Sequence, residues 1–156
     1  MMLVGIGFDV HRLVKKRTLV LAGVKIPFEK GPLGHSDGDV LCHALADAIL
    51  GAAACGDIGT FFPDTDPKWK DVPGLKILQD VLKIAKKKRR AVKQVDTIVI
   101  IEKPALSPFR KKIRTNLAKI LKISPGMVGL KFKTAEGLGA IGQSNAIASF
   151  AVVTLE

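Results

Sequence analysis

The chain has 156 residues, 47% of them hydrophobic and 25% charged, with two cysteines and a formal net charge of +11. Its length suits one domain with a real hydrophobic core, and its apolar content excludes a disordered chain. Two cysteines are too few for a disulfide scaffold, and no apolar run approaches the ~20 residues of a membrane span.

The N-terminus lacks the basic start of a secretion signal, so the expected location is the cytoplasm, with no membrane partner. Charge is unevenly spread: residues 1–66 carry 6 basic and 8 acidic side chains, and residues 67–156 carry 19 and 6. With no tyrosine, one tryptophan and no nucleic-acid-binding motif, the basic excess reads as a solvated lysine surface. No nucleic-acid partner is expected.

Residues 3–11 alternate as a strand, with Leu3, Gly5, Gly7, Asp9 and His11 on one face and Val4, Ile6, Phe8 and Val10 on the other. Asp9 and His11 then project side by side at the strand's end. Residues 18–22 and 24–27 predict a short hairpin turning at Gly23, and residues 29–33 a loop. The stretch 34–66, GHSDGDVLCHALADAILGAAACGDIGTFFPDTD, organises the rest, because it holds His35 and His43, two of the chain's three histidines, among aspartates and glycines. Ser36 and Asp37 are N-cap types, and Asp39 falls in the first turn, where negative charge suits the helix dipole. Leu41, Leu45, Ala48, Ile49 and Ala52 follow at helical spacing.

Asp39, His43 and Asp47 stack on one stripe of that helix, which places either aspartate to orient the His43 ring. Cys42 points about 100° away and is a poor co-ligand. Both cysteines are expected to be buried small hydrophobes. Asp9, His11 and His43 supply two nitrogen donors and one oxygen donor, the count of a catalytic zinc site with its fourth position open. Taken singly, His43 with a neighbouring aspartate reads equally well as a structural pair, and D-x-H reads more readily as structural than as a ligand pair.

Residues 55–59 break the helix, and residues 61–66 set aromatics beside aspartates in a loop able to close over a ligand or merely to connect. Residues 75–88 predict an amphipathic helix burying Leu75, Leu78, Val81, Leu82 and Ala85, with basic residues 86–90 at its C-terminus. Residues 95–101 read as a fully buried strand. Ser107 is placed as N-cap and Pro108 as first residue of a helix to about 122, burying Phe109, Ile113, Leu117, Ile120 and Leu121. Residues 127–134 form a strand with Val128, Leu130 and Phe132 on one face. In the glycine-rich turn at 134–142, backbone amides can approach phosphate and Glu136 can bind a divalent ion. Residues 146–155 close the chain as a strand apolar on both faces.

The fold class is α+β: one domain over residues 1–156, a mixed sheet with about three helices on one face. The other apolar face then requires another subunit, hence a homo-oligomer.

GFDVHRL at 7–13, the stretch 34–66 and TAEGLG at 134–139 together resemble the 2-C-methyl-D-erythritol 2,4-cyclodiphosphate synthase family, in the same order and spacing along almost the whole chain. The resemblance implies a phosphorus–oxygen lyase of non-mevalonate isoprenoid synthesis, acting as a homotrimer with sites between neighbouring chains. Its small-molecule substrate would be 4-diphosphocytidyl-2-C-methyl-D-erythritol 2-phosphate, converted to the cyclic diphosphate and CMP. Asp9, His11 and His43 would ligate one zinc ion per chain, and Glu136 would bind Mg²⁺ or Mn²⁺ with the substrate.

On the same resemblance, His35 and Thr134 would steady the transition state, with Ser36 contacting phosphate. Asp57, Ile58, Gly59, Phe62, Pro63, Asp64, Thr65 and Asp66 would line the methylerythritol pocket. Ile101, Lys103, Pro104, Ala105, Leu106 and Ser107, with Lys133 and Ala135, would form the cytidine side, largely through backbone. The chain departs from the family pattern at Glu102, Lys103 and Ala105, at Ala140, and at Gln143, Ser144 and Asn145. Two further readings fit the bare residues: a zinc hydrolase of a phosphorylated sugar, and a basic nucleic-acid-binding protein with a structural metal.

Overall fold

The computed structural model describes residues 1–156. Strand β1 (Leu3–Lys15) carries glycine at two consecutive inward positions, and this decides what lies against it. A Cβ on Gly5 would stand 2.0 Å from the Ala48 carbonyl oxygen, and one on Gly7 1.9 Å from that of Ala44. Helix α1 (Val40–Ala52) therefore rests its backbone directly on the strand. All of α1 except Asp47 and Gly51 is buried, since the sheet lies on one side and helix α3 (Gly74–Lys87) on another.

A hairpin of β2 (Leu19–Leu21) and β3 (Val24–Ile26) stands apart from the main sheet. That sheet adds β4 (Lys30–Leu33), β5 (Val92–Ile100), β6 (Val128–Lys133) and β7 (Ala146–Leu155), in the order β4–β1–β7–β5–β6. β7 runs antiparallel to both β1 and β5, and β6 parallel to β5. β1, β5 and β6 thus point the same way and end at one edge of the sheet. On the inner face, Val95, Val99, Val128, Leu130 and Val153 join α1, α3 and α4 (Arg110–Leu121) in one continuous core. No helix is long and apolar enough to cross a membrane.

The outer face carries apolar rows across three strands: Phe8 beside Phe150 beside Ile98, and Val10 beside Ala148 beside Ile100. The Phe8 and Phe150 rings lie 4.7 Å apart, and Val4 and Ile6 remain 65% and 72% exposed.

Several local expectations change. Residues 30–33 form β4 instead of a loop, paired with the end of β1, so Asp9 and His11 lie within a longer strand. Pro32 is tolerated because β4 is an edge strand. The chain bends through Gly38 at φ +71°, so Asp39 becomes the N-cap of α1 in place of Ser36 or Asp37. Ser107 opens a single tight turn, Ser107–Phe109, ahead of α4 and caps nothing. β5 alternates between buried and more exposed positions, because no layer covers its outer face, and Cys55 is only half-buried.

Gly7→Ala should push α1 off β1 and lower stability by about 3 kcal/mol, read as a fall in the urea midpoint. Gly51→Ala is the internal contrast, since its Cβ meets only the Ile6 carbonyl oxygen at 4.0 Å. It should raise stability by up to about 1 kcal/mol through helix propensity, seen as a higher midpoint. Equal effects from the two substitutions would refute the close-approach account.

Candidate metal centre and cavity

Asp9 and His11 come from β1 and His43 from α1, and the glycine contact brings them together. Asp9 Oδ2 lies 2.9 Å from His43 Nδ1 and 3.0 Å from His11 Nε2. One donor atom of each residue falls within 4.8 Å of the others. His11 Nδ1 lies 2.9 Å from the Leu33 carbonyl oxygen; donating to it leaves Nε2 free toward the cluster. His43 Nε2 lies 3.2 Å from Ser36 Oγ, which also accepts the Gly38 N–H.

Asp9 and Ser36 therefore orient His43, and neither Asp39 nor Asp47 does. Asp39 is fully buried and accepts N–H groups of Cys42 and Gly23, at 3.1 and 3.3 Å. Burial, then the charge of Asp37, pushes its carboxyl up to about 6. Asp47 turns the other way, toward Ile58.

Burial pushes the Asp9 carboxyl up, but hydrogen bonds from His11 and His43 outweigh it and hold the group below its ordinary value. Burial likewise pulls the His11 imidazole down, and the hydrogen bond and charge of Asp9 carry it above its ordinary value. A carboxylate flanked by two imidazoles is thus a place that favours one cation, a proton or a metal.

These residues open on a cavity of about 540 Å³, lined also by His35, Ile58, Gly59, Phe62, Pro63, Asp64, Thr65 and Trp69. Arg17 holds the 34–36 turn from below, with Nε on the Pro32 carbonyl at 3.1 Å and Nη2 on those of Gly34 and Ser36 at 3.4 and 3.3 Å. His35 Nε2 lies 3.3 Å from the Asp66 carbonyl oxygen, and Phe62 packs edge-on to Trp69 at 4.8 Å. The aspartates at 57 and 66 do not line this cavity. Asp57 Oδ1 accepts the Thr60 N–H and hydroxyl as N-cap of α2 (Ile58–Phe61), and Asp66 caps the turn Pro67–Trp69.

Thr134, Ala135 and Glu136 form a second group. The Thr134 hydroxyl donates to Glu136 Oε1 at 3.0 Å, Ala135 N–H to Glu102 Oε2 at 3.1 Å, and Ile101 N–H to the Lys133 carbonyl at 3.0 Å. Segment 101–107 is thereby tied to 133–136. Ile101 and Leu106 bury their side chains and Pro104 is half-buried, while Lys103, Ala105, Ser107 and Lys133 are exposed. None of these residues lines the first cavity. β1 and β6 stand three strand spacings apart, about 14 Å. A larger hollow of about 870 Å³ between α3 and α4 is lined by lysines and apolar groups and contains no carboxylate or imidazole.

Sequence patterning did not single out Arg17, the Leu33 carbonyl or Trp69. Only the last carried a signal, as the sole tryptophan of the chain, three residues after Asp66.

Among relatives, the 2-C-methyl-D-erythritol 2,4-cyclodiphosphate synthase of Caldicellulosiruptor bescii is 47% identical over 152 residues, 97% of each chain. A solved 2C-methyl-D-erythritol-2,4-cyclodiphosphate synthase in a CDP-bound form superposes with a TM-score of 0.91 at 38% identity, over 98% of this chain and 99% of that one. The CDP complex of Plasmodium falciparum IspF gives 0.85 at 36% identity, over 99% of this chain and 95% of that one. The YgbB family model matches residues 2–156, and the chain belongs to the YgbB family.

Proposed function

We infer that this chain converts 4-diphosphocytidyl-2-C-methyl-D-erythritol 2-phosphate to 2-C-methyl-D-erythritol 2,4-cyclodiphosphate and CMP, a phosphorus–oxygen lyase step of non-mevalonate isoprenoid synthesis. The observation that carries this reading is the Asp9–His11–His43 cluster opening on a cavity, in a chain that matches enzymes of that activity over nearly its full length.

An oxygen of the 2-phosphate bonds to the β-phosphorus as the bond from that phosphorus to the CMP oxygen breaks. Nucleophile and electrophile share one molecule, so the protein's task is positioning and charge neutralisation. No protein nucleophile is needed, so the Ser36 hydroxyl beside His43 Nε2 serves to orient the ring.

The donor set fits zinc: two imidazole nitrogens and one carboxylate oxygen converge, and the second nitrogen of each ring is oriented by Leu33 or Ser36. Zinc held there would supply a fixed positive charge to a phosphate oxygen. His35 lies in the same cavity, its ring engaged by the Asp66 carbonyl, and would meet phosphate with Ser36 beside it. Ile58 and Gly59 present backbone to the methylerythritol hydroxyls. Thr134 and Glu136 would act together on the diphosphate, Glu136 through Mg²⁺ or Mn²⁺, with segment 101–107 and Lys133 receiving the cytidine.

Two observations support a homotrimer with shared sites. The outer sheet face is apolar and exposed, and the Glu136 group lies too far across the sheet to grip the diphosphate held at Asp9 of its own chain. A neighbour's Glu136 group would complete each cavity.

Incubation with the substrate and Mg²⁺ in ¹⁸O-water should release CMP and give a cyclic diphosphate without solvent oxygen. A linear product carrying ¹⁸O would make the protein a hydrolase instead. His43→Ala should keep its circular dichroism spectrum yet lose zinc and at least about 100-fold in activity; one zinc per chain in that variant would remove His43 from the donor set. Random hybrids of His43→Ala and Glu136→Ala chains should recover activity at about one quarter of their sites. No recovery in proven hybrids would refute sites shared between chains.

A further inference from the structure

Asp47 and Gly51 are the residues of α1 that escape burial, and Asp47 stands one helical turn beyond His43. Its carboxylate accepts the Ile58 N–H at 2.8 Å, through Oδ1. Ile58 begins α2, and both Ile58 and Gly59 line the cavity that holds His43. The chain reaching Ile58 turns through Ala54 and Gly56, both at positive φ. Asp57 spends its Oδ1 on the Thr60 N–H and hydroxyl, and the Ile58 N–H goes to Asp47.

We propose that Asp47 is a positioning residue: its carboxylate pins the Ile58 amide to α1 and so holds the Ile58–Gly59 wall at a fixed distance from the metal donors. This rests on the reading of that wall as the methylerythritol contact. α1 then carries both ends of the cavity, His43 at one turn and the anchor at the next. Without the anchor, the α2 segment must be ordered by the substrate itself, which weakens binding. On the same reading the reacting phosphorus would lie toward His43 and His35, so the chemical step is spared.

Two measurements on the zinc-loaded full chain test this. In substrate-free protein, Asp47→Ala should speed hydrogen exchange at the Ile58 amide by about tenfold, as expected for one lost hydrogen bond. In steady-state kinetics the same variant should raise KM by about tenfold, with kcat within about threefold and zinc content unchanged. Asp47→Asn keeps an acceptor oxygen at the same place and should restore both slow exchange and low KM. Asp47→Gln displaces the acceptor and should fall between them, which keeps the test open if the alanine variant folds poorly.

An unchanged KM alongside fast Ile58 exchange would overturn the proposal, as would a fall in kcat at constant KM. Failure of asparagine to restore KM while restoring slow exchange would also overturn it, by showing that the charge acts on the substrate directly. Wild-type protein that releases no CMP would instead count against the assigned reaction, and the exchange arm would still decide whether Asp47 holds the wall.

Discussion

Helix α1 lies against strand β1 with nothing but hydrogen between the two backbones at Gly5 and Gly7, and every distance in the Asp9–His11–His43 cluster depends on that approach. Helix and sheet layers normally stand about 10 Å apart, held off by side chains of both. Here an aspartate, the shortest charged side chain, reaches from the strand to within 2.9 Å of His43 Nδ1. A methyl group at position 7 would meet the Ala44 carbonyl, one residue from His43. Packing of the core and spacing of the donors are therefore one constraint. It also explains the composition of α1, which turns Ala44, Ala48 and Ala52 toward the strand and Leu41, Leu45 and Ile49 into the core.

The same closeness sets the electrostatics. Burial alone would favour a neutral Asp9, yet both imidazoles point nitrogen at a single carboxylate oxygen and reverse that preference. The polar groups that orient the rings come from elsewhere in the chain. The Leu33 carbonyl belongs to β4, and Ser36 to a turn whose carbonyls are gathered by Arg17. Donors and their supports thus arrive from four places. Such a site is assembled before any ligand arrives, which is what a reaction driven by positioning needs.

Elements defined by local periodicity were legible in the sequence. β7 occupies residues 146–155 as expected, and α3 differs by one residue at each end. The Asp9–His11–His43 cluster, which could hold a metal ion, was legible too, because histidine is scarce and D-x-H on a strand has a fixed geometry. What was not legible depends on contacts between distant segments. The helical stripe of Asp39, His43 and Asp47 is real, but Asp9, 34 residues earlier, is the carboxylate that reaches the ring. Gly31 and Pro32 read as loop, and only pairing with residues 13 and 14 of β1 makes them strand. Asp39 replaced Ser36 as helix cap because Gly38 adopts a left-handed conformation that no pattern of polar residues announces.

The strand order also explains why one chain holds two separate groups of candidate site residues. β1, β5 and β6 run parallel, so His11, segment 101–107 and segment 133–136 all emerge at the same edge of the sheet. Yet β7 and β5 stand between β1 and β6, and nothing in a single chain brings those ends together. The outer face has the matching deficit: Ile6, Phe8, Val10, Phe150 and Val152 form apolar rows that no helix of the chain covers. A stable soluble domain rarely leaves so continuous an apolar face in water. Another copy packed through that face would bury the rows, and its own sheet edge would arrive beside the first. In the proposed trimer, then, the contact that removes the apolar face from water is also the contact that supplies each Asp9–His11–His43 cluster with a Glu136.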